Sequence, residues 1–145
     1  MAGMSRKTEA GATAPGSNES TVLAGNHEAL ASWPVVRDCA RFLRDEKAQD
    51  VQVLQVSVRS SFADFFVIAT AQSAGQLKGF VRNVDEVLAR HGVRAKGGKR
   101  SVNDDDTWVL LDCGEFIVHL MLREAREFYD LEKLWFDSPR LADLV

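Results

Sequence analysis

The chain has 145 residues, 46% of them hydrophobic, which is enough for one domain with a real core plus a tail. Its 18 basic and 21 acidic residues leave a net charge of −3, which argues against a broad nucleic-acid-binding surface but not against docking on protein. No apolar run reaches the ~18 residues that suggest a membrane span, and the first twenty residues have no hydrophobic secretory core.

Residues 1–31 are poor in large apolar side chains and rich in Gly, Ala, Ser and Thr. Such a segment cannot bury enough surface to offset its ordering entropy, so a disordered tail is expected there. The domain is expected over 32–139. In "SWPVVRDCARFLRDEKAQD" Ser32 is placed to cap a helix and Pro34 to sit in its first turn, with Val35, Val36, Cys39 and Leu43 as the buried stripe. "VQVLQV" (51–56) reads as a strand and "SVRSSFAD" as a loop. "FFVIAT" (65–70) is apolar on both faces, as a central covered strand requires.

Ser73 and Gln76 have capping-box spacing at the head of a second helix. Leu77, Phe80, Val81, Val84 and Leu88 are its core stripe, and Gly92 is placed to end it in a left-handed turn. The stretch "RAKGGKRSVNDDD" reads as an exposed loop. "TWVLLD" and "EFIVHLML" form a hairpin around Cys113 and Gly114, with Asp112 expected opposite Glu115, Leu110 opposite Ile117 and Trp108 opposite His119. One face then carries Val109, Leu111, Phe116, Val118 and Leu120. The other carries Trp108, Leu110, Ile117, His119 and Met121, and both need cover. A last helix over 127–135 closes the domain, with Phe128, Leu131 and Leu134 or Trp135 inward and Arg126 paired with Asp130. Residues 140–145 are read as a C-terminal tail. The sum is a compact α/β domain, a two-layer or sandwich arrangement of a mixed β-sheet packed by helices.

Residues that would carry chemistry do not assemble. The chain has no phosphate-binding glycine motif, and His27, His91 and His119 share no ligand spacing. Asp104, Asp105 and Asp106 lie in a flexible polar loop and read as a solvated charge run rather than a metal site. Lys96, Lys99 and Arg100 have no interleaved aromatic platform of the kind single-strand binding uses. Cys39 and Cys113 form no CxxC pair and read as reduced, half-buried thiols of a cytoplasmic protein. What remains is surface: Tyr129 and Lys133 stand four residues apart outside the buried stripe, in a segment rich in the residue types that dominate binding hot spots.

"SSFADFFVIATAQS" (60–73), "WVLLDCGEFIVHL" (108–120) and "EAREFYDLEKLW" (124–135) resemble, in order, the three characteristic blocks of the ribosomal silencing factor family, also called RsfS or Iojap-like. The resemblance covers essentially the whole domain. It implies a fold like that of the nucleotidyltransferase superfamily in an enzymatically silent form, without catalytic residues, cofactor or metal. It further implies binding to the large ribosomal subunit through ribosomal protein fourteen, at the face that meets the small subunit. Occupying that face blocks subunit joining and damps translation when nutrients are scarce. Homodimers are also implied, and for organelle members a role in large-subunit assembly. Carried onto this chain, the resemblance points to Trp108, His119, Tyr129, Lys133 and Leu134 as contacts for the ribosomal protein. It also marks Asp64, Asp112, Glu124, Arg126, Leu131 and Trp135, of which Asp64, Asp112 and Arg126 stand equally as structural residues. The chain departs from the family pattern at Gly75, often basic, and in the loop 96–107, which lacks a Glu-Gly pair.

Overall fold

A computed structural model describes residues 27–57, 60–98 and 101–145, with side chains from Ala31 onward. Helix α1 spans His27–Asp45 and is followed by strands β1 (Gln49–Gln55) and β2 (Phe65–Ala71). Helix α2 (Ala74–Arg90) leads through a long loop to β3 (Trp108–Asp112) and β4 (Phe116–Leu122). Two short helices, α3 (Arg123–Tyr129) and α4 (Leu131–Leu134), and a 3-10 turn at Ala142–Leu144 complete the chain. The sheet order is β1-β2-β4-β3. The inner pair β2/β4 is parallel, and both edge pairs are antiparallel. The α/β fold with a mixed sheet is therefore as the sequence implied.

The two central strands explain the layering. Every residue of β2 is buried, and in β4 all but Leu122 are, so both faces of the sheet must be covered. On one face α1 and α2 lay Val36, Cys39, Leu43, Leu77, Phe80, Val84 and Leu88 against Phe65, Val67, Val109, Leu111, Phe116, Val118 and Leu120. The opposite face carries Leu54, Phe66, Ile68, Ile117 and Met121, beneath Ala125 and Leu131.

Helix α2 is anchored where its caps were expected. Ser73 Oγ accepts from Gln76 N at 3.1 Å, while the Gln76 side chain reaches back to the N–H of Gln72 at 2.7 Å, one residue beyond the usual box. At its end Gly92 has φ 71, and the bonds from Gly92 N to Ala89 O and from Val93 N to Leu88 O make a Schellman closure.

Four expectations need correction. The first helix begins at His27 rather than beyond Ser32, which is buried, and Pro34 lies inside it. Glu28, Ala29, Leu30 and Ala31 are good helix formers, and they carry the helix upstream although Pro34 cannot donate to the carbonyl four residues back. The rest of the expected N-terminal tail, residues 1–26, lies outside the described residues.

The second correction is the hairpin register, which is two residues off. Trp108 faces Met121, Leu110 faces His119 and Asp112 faces Ile117. The turn is Gly114-Glu115, closed by Cys113 N donating to Phe116 O at 2.9 Å. Gly114 takes φ 89, which favours glycine at that corner. A shift of two keeps every side chain on its face, so the expected division of residues between the two faces holds.

Third, residues 140–145 are not a tail. Gln55 N donates to Pro139 O and Leu141 N to Val53 O, so the segment pairs along the free edge of β1. Leu141 is buried, and Arg44 donates to the carbonyls of Ala142 and Val145. An edge strand with open backbone groups is thereby covered. Fourth, both thiols are buried rather than half-buried; burial, aided by their mutual proximity in the case of Cys39, pushes each up to about 12.

Candidate functional site: an exposed aromatic face

The last helix expected over 127–135 is in fact two helices, and the break between them shapes the surface. Asp130 takes a left-handed conformation, φ 45 and ψ 62, where α3 ends. Its carboxylate accepts from Lys133 N at 3.3 Å and so caps α4. Aspartate tolerates this backbone better than most residues and is a preferred cap. Asp130 followed by Glu132 in the first turn was the sequence signal for a new helix start.

The elbow is clamped from below by Arg126, only 5% exposed. Its Nε and Nη2 donate to the two carboxylate oxygens of Glu132 at 3.1 and 2.8 Å. Nη1 donates to Thr70 Oγ1 at 2.8 Å, and Nη2 also reaches the carbonyl of Asp50 at 2.8 Å. The guanidinium holds the Glu132 carboxyl below the usual carboxylate range. The expected Arg126–Asp130 pair does not form, because the helix breaks at Asp130 and Glu132 is carried under the arginine instead. Alongside, Arg123 bonds Asp50 Oδ2 at 2.6 Å and lowers that carboxyl too.

The seven residues of α3 and four of α4 are too few to cover the sheet, and apolar residues stay in the open. Phe128 is 81% exposed, Tyr129 51%, Leu134 65% and Leu110 39%; Lys133 is exposed as well. Their rings are ordered by contact. Tyr129 packs on Trp108 with centroids 4.7 Å apart, and Phe128 meets Tyr129 edge-on at 5.0 Å. Trp108 donates from Nε1 to Nδ1 of His119 at 3.1 Å. His119 meets Phe66 edge-on at 4.6 Å, and Phe66 meets Trp135 edge-on at 5.3 Å. Phe62, also exposed, lies against Phe66 at the far end. Large exposed apolar groups set in contact, next to charged residues, have the composition typical of interaction surfaces.

The family described as "Ribosomal silencing factor during starvation" (RsfS) matches residues 29–144. The chain belongs to the ribosomal silencing factor family. It is 45% identical over 98 residues to the ribosomal silencing factor RsfS of Treponema pallidum, covering 68% of this chain and 86% of that one. It is 37% identical over 94 residues to the mouse protein named mitochondrial assembly of ribosomal large subunit protein 1, covering 64% of this chain and 41% of that protein. A crystal structure of a Chromobacterium violaceum protein superimposes with a TM-score of 0.64 at 32% identity, over 71% of this chain and 84% of that one.

On this family member Trp108 and Tyr129 pack together, and Lys133 and Leu134 are exposed on α4. His119 does not reach the surface. At 4% exposure it lies beneath Trp108, and burial, with a smaller push from Arg126, lowers its pKa to about 4, so it is a neutral imidazole. A direct contact with a partner is closed to it. Leu131 is buried in the second core, Trp135 is half-buried beside it, and Glu124 is exposed in the first turn of α3. Phe128, read as inward, points out; of the alternatives Leu134 and Trp135, the half-buried one is Trp135, while Leu134 is exposed.

Asp64 and Asp112 belong to the other end of the molecule. Asp112 Oδ1 accepts from Gly114 N at 2.9 Å and fixes the hairpin turn. Asp64 joins the strands through its backbone, with its N–H on Glu115 O and its carbonyl on Val56 N. Asp104 pairs with Lys78, and Asp106 closes a turn by accepting from Asn103 N. Among the described residues no group of three or more His, Cys, Asp or Glu could hold a metal ion. Lys96 is exposed, while Lys99 and Arg100 lie outside the described residues.

Proposed function

We propose that this protein is a translational repressor. It binds the large ribosomal subunit through ribosomal protein fourteen, on the face that meets the small subunit, and blocks subunit joining by occupying that space. The observation that carries this reading is the exposed run Leu110, Phe128, Tyr129 and Leu134 on a sheet face that two short helices leave open. Trp108, Tyr129, Lys133 and Leu134 make the contact. Glu124, Glu127 and Asp130 are exposed around the aromatic pair, which suits the basic surface of a ribosomal protein better than RNA phosphates. The protein makes and breaks no covalent bonds in this role and needs no cofactor or metal. It works in the cytoplasm when nutrients are limiting.

The test is subunit joining. Small subunits are added to purified large subunits with and without saturating protein, and whole particles are resolved by sedimentation. Fewer whole particles are expected, with the protein travelling with the large subunit. Equal yields of whole particles would overturn the proposal. Sedimentation equilibrium of the free protein checks the homodimer that the family resemblance implies.

A second reading is supported by the similarity to the mouse mitochondrial assembly protein: a large-subunit assembly factor in an organelle, docking through the same face. Mapping the mature N-terminus in its cell of origin separates the two, since organelle import would leave a trimmed chain.

A further inference from the structure

His119 is an expensive residue for its place. Its neighbours on β4 are apolar and buried, and a phenylalanine or leucine would fill the same slot without desolvating an imidazole. Among the described residues its Nε2 has no hydrogen-bond partner, and the ring's hydrogen bond is the one that Nδ1 accepts from Trp108. An indole N–H can only donate. That fixes Nδ1 as the acceptor and places the imidazole proton on Nε2. The bond crosses the hairpin on the diagonal, because the register sets Trp108 opposite Met121 and His119 opposite Leu110. It thus ties a fully buried strand residue to a half-buried indole at the rim.

We propose that His119 is a positioning residue of the docking face: it touches no partner, and by accepting the indole N–H it fixes Trp108, which in turn is the platform for Tyr129. The inference rests on the docking role proposed above and deepens it. Trp108 and Tyr129 rings lie 4.7 Å apart, and Tyr129 is half in solvent. An indole free to turn its N–H toward water would give up that platform. Tyr129 would then have to be ordered at the moment of binding, at the expense of affinity. Phe66, edge-on to the imidazole at 4.6 Å, holds the histidine from behind and completes a relay from core to surface.

Two substitutions separate this role from simple packing. His119→Phe keeps a ring and removes the acceptor. His119→Asn is smaller and packs less well, but its Oδ1 falls near the place of Nδ1 and keeps the acceptor. Affinity for purified large subunits is measured alongside the indole N–H resonance of Trp108, assigned through Trp108→Phe. The Phe variant is expected to bind about three- to tenfold more weakly, the worth of one net hydrogen bond, with its indole resonance moved toward that of a solvated indole. The Asn variant is expected to recover both. Should the Phe variant not fold, His119→Gln, whose longer side chain carries the acceptor away from the indole, takes its place.

An Asn variant that binds as weakly as Phe, or a Phe variant that binds like the wild type, overturns the proposal. An indole resonance unmoved by loss of the acceptor overturns the part played by His119 alone. Failure of the wild type to bind large subunits overturns the functional reading instead.

Discussion

The two faces of this sheet are made by the same strands and finished in opposite ways. On one, 36 residues of helix, the 19 of α1 and the 17 of α2, lie across the strands and enclose a large buried core. On the other, 11 residues in two short helices leave aromatic rings half or mostly in water. The alternation along β3 and β4 is equally apolar on both sides, so the difference comes from the cover and not from the strands. A face that is apolar, rigidly backed and incompletely covered is what a protein needs in order to bind another protein. The closed face supplies the stability that the open one forgoes.

Substitutions should therefore split by face, and the largest effect belongs to the closed one. Phe65→Ala removes a fully buried ring beside Trp33. It should cost about 3–5 kcal/mol of unfolding free energy, read from denaturant midpoints, and leave the affinity of whatever stays folded unchanged. A loss of affinity larger than the loss of folded protein would show that the two faces are coupled.

The next effect is a pH dependence on the open side. The unfolded chain takes a proton on His119 near pH 6.5, while the folded chain resists until about pH 4. The folded state therefore binds fewer protons in that window, and stability falls as pH drops from 6.5 toward 4, by up to about 3 kcal/mol in full. Glu132 and Asp50, whose folded pKa values are depressed, add a further loss that begins only below their unfolded values. Subtracting the stability-versus-pH curve of His119→Phe isolates the histidine; parallel curves above pH 5 would mean that it is not buried as a neutral ring.

Arg126→Met tests the clamp that holds the open face in shape. It leaves Thr70, the Asp50 carbonyl and Glu132 without their shared donor, and about 2–3 kcal/mol should be lost. Affinity should fall with it, because the elbow at Asp130 loosens. Retained affinity would mean that the elbow holds itself. Tyr129→Ala should do the reverse: about 2 kcal/mol of binding lost if it is a hot spot, with stability changed by roughly 0.5 kcal/mol or less. Asp104→Asn should change least. Its pair with Lys78 is solvated, so thermal midpoints with and without Mg²⁺ and nucleotide should coincide in both proteins. A nucleotide-dependent rise confined to the wild type would point instead to a nucleotidyltransferase-like enzyme, the least favoured reading of the sequence.

Much of the fold was legible because the signals were local. The Ser73–Gln76 cap, the Gly92 closure and the doubly apolar "FFVIAT" each depend on residues within one turn or one strand. The division of β3 and β4 between two faces survived a wrong register because strand periodicity is two. The errors came where distant partners decide. Glu132 was hidden as the partner of Arg126 because it lies six residues away, across a helix break, and Thr70 and Asp50 are far off in the chain. The residues proposed for docking were half legible: Tyr129, Lys133 and Leu134 are exposed, whereas His119, read as a contact, is buried and Phe128, read as core, is exposed.

Sequence alone determined which residues are apolar, where the chain turns, and that three blocks stand in the order of a ribosomal silencing factor, since these depend on side-chain chemistry and short-range spacing. Only the tertiary structure decided which apolar residues stay uncovered. That outcome depends on how far each helix reaches across the sheet, and the reach of α3 is set by a left-handed aspartate and a buried arginine whose partners come from three separate segments.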